Sequence, residues 1–483
     1  MKQYELIIGL EVHCQLATRT KLFCGCGTDG FGQAPNSRVC PLCTAQPGVL
    51  PVLNRRAVEL AFQAAMALEC ELAPRSMFAR KNYFYPDLPK AYQISQYDQP
   101  FSQHGKLLIK ADGKEKSIGI TRIHMEEDAG KLVHELAGSK LDGSLVDLNR
   151  AGVPLIEIVS EPDLRTSEEA YAYLTALKEV IQFTGASRCD MEKGEMRCDA
   201  NVSVRPVGQK EFGTRTETKN LNSFKNVKDA IEAERDRQIA VLENGGKIVQ
   251  ETRLWDAALQ AGRSMRTKED AHDYRYFPDP DLVPLVADPA WVAKLRAELP
   301  ELPAKKRARL TSELGLSSYD AEVLTGDKAL SEYFEEAVAA APPGSAKTVS
   351  NLLTTEMLGR LNAEGKSAAE SPVAAAHLGE LAGLIAGGTL SSKGAKDVFA
   401  KMWETGKGPK ALVDDLGLTQ VSDDKQIMEW VKQALAANPK AAADLKGGKD
   451  AAIGSIVGGV MKLSKGKANP ALVNKLIKEA VKA

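Results

Sequence analysis

The chain has 483 residues, 26% of them charged, and a formal net charge of −1. It is long enough for two to four domains with full hydrophobic cores, and its bulk charge excludes a general polyanion-coating role. "MKQYELIIGL" carries no signal-length apolar run, and no stretch of about 18 apolar residues occurs, so a soluble cytoplasmic protein without a membrane partner is expected.

Taken in chain order, the first element is a strand over "IIGLEVHCQL", residues 7–16. Strand alternation sends Leu10, Val12 and Cys14 to one face and Glu11, His13 and Gln15 to the other. A single Glu-x-His is ordinarily a solvated sheet face. "CGCGTDGFGQAPNSRVCPLC" follows, with Cys24 and Cys26 as one pair and Cys40 and Cys43 as a second, thirteen residues on. Eight Cys in this length do not make a disulfide scaffold. Two short-spaced pairs with Gly and Pro turns suit a structural tetrahedral zinc at 24–43, all four positions being filled by protein.

"FARKNYFYPDLPKAYQISQYDQP" gathers Arg80, Lys81 and Lys90 with Tyr83, Tyr85, Tyr92 and Tyr97. This mixture lines a nucleotide or nucleic-acid surface by stacking and phosphate contact, although a Tyr-rich loop packed on a sheet has the same composition. In "TRIHMEEDAGK", His124, Glu126 and Asp128 share a strand face and Glu127 points the other way. "MRCDANVSVRP" alternates Asp199, Asn201 and Ser203, and "FGTRTETKNLNS" alternates Arg215, Glu217 and Lys219. Acids recur on four strands among Arg, Lys and Asn, which points to a hard-cation site with phosphate-binding neighbours. Its ligands would be Glu11, one or both of Glu126 and Glu127, Asp199 and Glu217, with His13 as an odd member. Magnesium prefers oxygen, so the imidazole favours manganese or an outer role.

Helical periodicity marks "SEEAYAYLTALKEVIQFTG" and "SFKNVKDAIEAERDRQIAVLENGG", the latter stopping at Gly245 and Gly246. "RTKEDAHDYRYFPDPDL", with Arg266, Lys268 and Arg275, closes this part. The expected fold is α+β, with a large antiparallel sheet in residues 1–294. After a Pro-rich stretch come an Ala- and Leu-rich helical domain, 295–410, and a helical tail, 411–483. Residues 441–483 hold eight Lys against Asp444, Asp450 and Glu479, a local net charge of +5, which suits a phosphate-binding surface and equally a solvated Lys-rich face. No G-x-x-x-x-G-K-[ST] or G-x-G-x-x-G occurs, nor an amidase-type serine run, so any use of ATP needs a cradle without a P-loop.

The segments "GLEVHCQL", "RKNYFYPDLPKAYQISQYDQP", "RIHMEEDAGK", "DLNRAGVPLIEIVSEPD", "MRCDANVSVRP", "TETKNLNSFKNV", "DYRYFPDPDL", "LSSKGAKDVFAKM" and "VMKLSKGKANPALVNKLIKE" resemble the B subunit of the aspartyl/glutamyl-tRNA(Asn/Gln) amidotransferase. They run in order along nearly the whole chain. The match departs at Thr44 and Ala45, where the family more often has Leu-Gly. The resemblance implies a heterotrimer that amidates misacylated Glu-tRNA(Gln) or Asp-tRNA(Asn), its other two members being an amidase and a small protein. A non-discriminating aminoacyl-tRNA synthetase would be a further partner. It implies ATP, Mg2+ and structural Zn2+, a cradle domain similar to glutamine synthetase, and two all-α domains of which the last grips tRNA. Carried over by position, Glu11, His13, Glu127 (or Glu126), Asp199 and Glu217 would hold the metal. Lys81, Asn82, Arg215 and Lys219 would be catalytic, with Lys81, Arg215 and Lys219 on phosphate. The alternatives are a non-catalytic, zinc-containing tRNA-binding scaffold and a free-standing ligase acting on a small carboxylate.

Overall fold

The computed structural model describes residues 3–136, 138–267, 274–418, 423–446, 452–464 and 468–482. Lys268, Lys449, Asp450, Lys465 and Lys467 of the predicted basic stretches lie outside the described residues. Two compact units divide the chain, Met1–Pro303 and Ala304–Ala483.

Strands dominate the first unit. They are β1 (Tyr4–Gln15), β2 (Glu71–Leu72), β3 (Arg75–Ser76), β4 (Ala79–Asn82), β5 (Tyr92–Ser95), β6 (Ser102–Ala111), β7 (Lys114–Glu127) and β8 (Lys131–Leu136). After them come β9 (Ser139–Asp147), β10 (Pro154–Ser160), β11 (Met196–Pro206), β12 (Thr216–Leu221), β13 (Glu251–Asp256), β14 (Ala261–Thr267), β15 (Phe277–Pro278) and β16 (Leu285–Val286). Nine of these form one sheet in the order β14-β13-β12-β11-β1-β10-β7-β6-β2. Its neighbours are antiparallel except β12 and β13, which run parallel. A separate three-stranded sheet runs β15-β4-β5.

The large sheet has one apolar and one polar face, as the alternation in β1 requires. Leu10, Val12 and Cys14 are fully buried, as are Ile156, Ile158, Ile123 and Met125 on the neighbouring strands. They share a core with residues of helices α1 (Arg55–Ala67), α2 (Ser167–Thr184) and α3 (Phe224–Glu243). Local chemistry sets the helix ends. Thr166 and Ser223 cap α2 and α3 by accepting from Glu169 N and Asn226 N. Gly185, left-handed at φ 73°, ends α2. Past the Asn244 cap of α3, Gly245 takes φ 75°, where the sequence places the helix stop.

The second unit is helical in its long elements, from Pro303–Ser312 to Pro470–Lys482. It holds two hydrophobic clusters, one spanning Leu310 to Val413 and another spanning Ile427 to Ile477. Among the described residues no helix is long and apolar enough to cross a membrane.

Candidate active site and cysteine knuckle

Register brings the acids together on the polar face. Glu11 on β1 lies opposite Asp199 on β11, and His13 opposite Glu157 on β10, which in turn faces His124 on β7. Further along, Asn201 on β11 pairs with Glu217 on β12, and Glu217 with Thr252 on β13. A cleft of about 390 Å³ is lined by these residues together with Lys81, Arg122, Arg215 and Lys219.

Hydrogen bonds fix the carboxylates. Asn201 Nδ2 donates to Glu11 Oε1 at 2.9 Å and Thr252 Oγ1 to Glu217 Oε2 at 2.9 Å. Lys219 Nζ bridges Asp199 and Glu217, the latter at 2.8 Å. His13 Nε2 is 3.2 Å from Glu157 Oε2 and 3.5 Å from Glu126 Oε1. The ligand atoms of these three residues all lie within 4.8 Å of one another, spacing that can hold a metal ion.

This face interleaves carboxylates with cations. Burial disfavours a proton on His13, but the bond to Glu157 and the fields of Glu126, Glu157 and Asp199 overcome it and raise its pKa to about 9. Its neighbour His124 is brought down to about 4, chiefly by burial. Glu11 is pushed up by burial and by the negative charge of Glu157 and Glu217, and Glu126 is raised chiefly by burial. For Lys219, burial is outweighed by Asp199 and Glu217, which hold the ammonium above its ordinary range. For Glu157, burial is overcome by His124, His13 and Lys81, which hold its carboxyl below the usual range. The cluster thus gathers carboxylate oxygens around a protonated imidazole whose place another cation can take. Such a site attracts a divalent cation.

Of the residues singled out in the sequence, Glu11, His13, Lys81, Asp199, Arg215, Glu217 and Lys219 line this cleft, and Glu126 joins it through His13. Two lie elsewhere. Glu127 points to the other side of β7, where Lys90 Nζ donates to its Oε1 and Ile94 N donates to the same atom at 3.0 Å. Asn82 turns its amide to backbone, donating to Tyr274 O at 3.0 Å and Arg275 O at 2.9 Å. Site residues that the sequence patterns did not single out as such are Glu157, Arg122, His124, Thr252, Tyr274 and Tyr276. Glu157 was hidden because "PLIEIVS" is apolar on both of its alternating faces. Thr252 was hidden because only the parallel β12–β13 pairing brings it to Glu217.

Cys24, Cys26, Cys40 and Cys43 converge elsewhere in the same unit, their sulfurs within 4.8 Å of one another. Cys24 Sγ and Cys40 Sγ are 3.7 and 3.8 Å from Cys43 Sγ. A zinc–sulfur bond of about 2.3 Å gives a tetrahedral sulfur spacing of about 3.8 Å, so the cluster is compatible with zinc. Lys21 is fully buried beside it, with Nζ 3.3 Å from Cys43 Sγ, 2.8 Å from Arg38 O and 3.2 Å from Leu148 O. The Cys24 thiol donating to Cys43, assisted by Lys21, holds the Cys43 thiol down at about 4. Burial pushes Cys26 up to about 11.

Family models described as the GatB/GatE catalytic domain and the GatB domain match residues 6–293 and 332–481. The chain is 57% identical over 479 residues to the aspartyl/glutamyl-tRNA(Asn/Gln) amidotransferase B subunit of Geobacter sulfurreducens, covering 99% of both proteins. It is 54% identical to the protein of that name from Carboxydothermus hydrogenoformans, again over 99% of both. With the corresponding protein of Thermodesulfovibrio yellowstonii it shares 52% over 99% of this chain and 100% of the relative. The sheet that gathers these acids and the helical region after it thus belong to one continuous family match: the chain is a member of the aspartyl/glutamyl-tRNA(Asn/Gln) amidotransferase B-subunit family.

Proposed function

We propose that this chain is the kinase-type member of a heterotrimeric, glutamine-dependent ligase that amidates Glu-tRNA(Gln), Asp-tRNA(Asn) or both. A carboxylate is a poor acyl donor. An oxygen of the tRNA-borne side-chain carboxylate attacks the γ-phosphorus of ATP and ADP leaves; ammonia then attacks the acyl carbon and phosphate leaves, giving the amide. The ammonia comes from glutamine on an amidase partner, with a small third protein completing the assembly and a non-discriminating aminoacyl-tRNA synthetase supplying the misacylated tRNA. The work is cytoplasmic.

The observation that carries this reading is the concentration of carboxylates, Glu11, Glu126, Glu157, Asp199 and Glu217, on one sheet face beside Lys81, Arg215 and Lys219. Phosphoryl transfer is catalysed by positioning and charge stabilisation. The donor set fits a divalent cation. Glu11, Asp199 and Glu217 would hold magnesium, with Glu126, Glu157 and His13 as a second cluster whose imidazole suits manganese or an outer role. Such an ion neutralises phosphate charge when bound. Lys219, already poised between Asp199 and Glu217, turns to phosphate when those carboxylates have another cation. Lys81 and Arg215 contact phosphate from the cleft wall, and Asn82 acts by holding the Tyr274–Arg275 backbone.

The first unit is read as a cradle of the glutamine-synthetase type, residues 1–294, its helices on one sheet face and its acids on the other. Residues 295–410 and 411–483 are read as two helical domains, the last gripping the tRNA backbone by phosphate contact. The four Cys are read as a structural Zn2+ knuckle. A non-catalytic scaffold accounts for knuckle and tail but needs no acidic face.

The test uses the chain reconstituted with its partner proteins, glutamine, ATP and Glu-charged tRNA(Gln). Glu217→Gln keeps shape and removes one charge. Amide formation is expected to fall at least 100-fold, about 2.7 kcal/mol in barrier, with tRNA binding intact; wild-type turnover by the variant refutes the kinase reading.

A further inference from the structure

Five tyrosines make one continuous row, two of which, Tyr274 and Tyr276, line the cleft. Tyr85 meets Tyr83 with centroids 6.3 Å apart, Tyr83 meets Tyr274 at 6.1 Å, and Tyr274 meets Tyr276 at 6.0 Å. Tyr276 then stacks on Tyr97 at 4.1 Å with the rings 4° from parallel. Three of the five come from the segment around β4 and β5 and two from the segment just before β15, almost two hundred residues away.

That row is built into the fold. β15 pairs with β4, Phe277 opposite Arg80. Asn82 contributes both its backbone N–H, 3.0 Å from Tyr274 O, and its side-chain amide to the same stretch. At the other end Arg122 Nη1 donates to Tyr97 O at 3.1 Å while its side chain lines the cleft.

The two end rings are not packed away as a core would be, while Tyr83, Tyr274 and Tyr276 are half-buried. Tyr85 is 59% exposed and Tyr97 50%. One face of Tyr97 is covered by Tyr276 at stacking distance, so its exposure belongs to the opposite face and the ring edge. Positive charge accompanies the row: Lys81 Nζ lies 4.9 Å from the Tyr274 centroid and 5.9 Å from that of Tyr83. The other three ring contacts are edge-to-face, with 65°, 70° and 73° between ring planes, so the open stacking surface lies at the exposed ends of the row. An aromatic face beside cations is what a protein offers to a base of a single strand. Rings turned edge-to-face cannot share one continuous base stack, so bases would be splayed onto individual ring faces.

We propose that the row from Tyr85 to Tyr97 is a stacking platform for single-stranded RNA, namely the 3′ strand that delivers the aminoacyl group to the acidic face. The identity of that strand rests on the function proposed above. The chemistry recognised is a nucleobase, which ATP also carries, so the test has an arm for each source.

The assembled complex is titrated, without ATP, against tRNA(Gln) whose 3′-terminal adenine is replaced by 2-aminopurine, fluorescence reporting stacking. Wild type and Tyr97→Phe are expected to quench the probe equally. Tyr97→Ala and Tyr276→Ala should weaken binding about 5- to 150-fold, the range for one lost base stack. A tRNA trimmed of its 3′ single strand should bind all four proteins alike. The KM for ATP should be the same in Tyr97→Ala as in wild type.

Unchanged quenching and affinity in both Ala variants overturns the proposal. A raised KM for ATP with unaltered RNA binding also overturns it, assigning the row to the nucleotide base. Quenching needs no phosphoryl transfer, so the platform is judged separately from the kinase reading, which stands or falls on Glu217→Gln.

Discussion

Lys21→Met tests how the cysteine cluster is held. The side chain is fully buried and its ammonium serves Arg38 O, Leu148 O and the Cys43 sulfur. Methionine has similar volume, so little cavity energy enters. Two part-buried carbonyls lose a donor, at about 1–3 kcal/mol each, and the thiolate loses its neighbouring cation. The carbonyls alone give about 2–6 kcal/mol, which brackets the loss of about 3–5 kcal/mol expected for breaking a buried charge contact. The share falling on sulfur should weaken zinc binding about 10- to 100-fold, as removal of outer partners does. The assay loads the purified chain with zinc, adds a chromogenic chelator and follows release, with urea unfolding run in parallel. Faster release and an earlier first unfolding transition are expected. Wild-type release together with an unshifted transition would refute the argument, leaving the sulfur charge balanced by groups other than this ammonium.

Thr252→Val removes the 2.9 Å hydrogen bond to Glu217 Oε2; a bond to a charged acceptor contributes about 1.5–3 kcal/mol. Amide formation should fall about 10- to 100-fold with the KM for tRNA unaltered, and Thr252→Ser should restore it, as steady-state kinetics will register. The pH dependence of stability without added metal reports on His13. Its folded pKa of about 9 stands above the unfolded value of about 6.5, so its stabilising contribution is complete below pH 6.5 and is lost as pH rises through 9. Urea midpoints of wild type and His13→Gln should therefore differ most at pH 6 and converge by pH 10; a constant difference across that range refutes the pairing with Glu157 and Glu126.

What could be read in the sequence was whatever depends on short spacing. Alternation in β1 separated Glu11 and His13 from Leu10, Val12 and Cys14, and the two Cys pairs announced a cluster before any fold was known. Alternation also separated Glu126 from Glu127, yet it could not say which face was the cleft. That depends on which side α1, α2 and α3 cover. Glu157 was hidden in an apolar run that reads as core on both sides. Thr252 and the pair Tyr274 and Tyr276 were invisible for another reason. They reach their neighbours through pairings between distant segments, β13 on β12 and β15 on β4, and no local pattern encodes those. Asn82 looks chemical in the sequence because it adjoins Lys81, whereas its amide is engaged by two backbone carbonyls.

The position of β1 constrains how such a chain can vary. It is held by β10 over Glu11–Gln15 and by β11 over Tyr4–Cys14, so the stretch Glu11–Cys14 has no free edge along which to slide. Because successive side chains alternate between faces, inserting or deleting one residue would swap every position beyond it. Glu11 and His13 would be driven among the helices and Leu10 and Val12 turned toward the acids, with two ladders disrupted at once. Point substitutions can be sampled singly along this strand, but its length cannot, so homologous chains are free to differ in the composition of β1 while keeping its residue count.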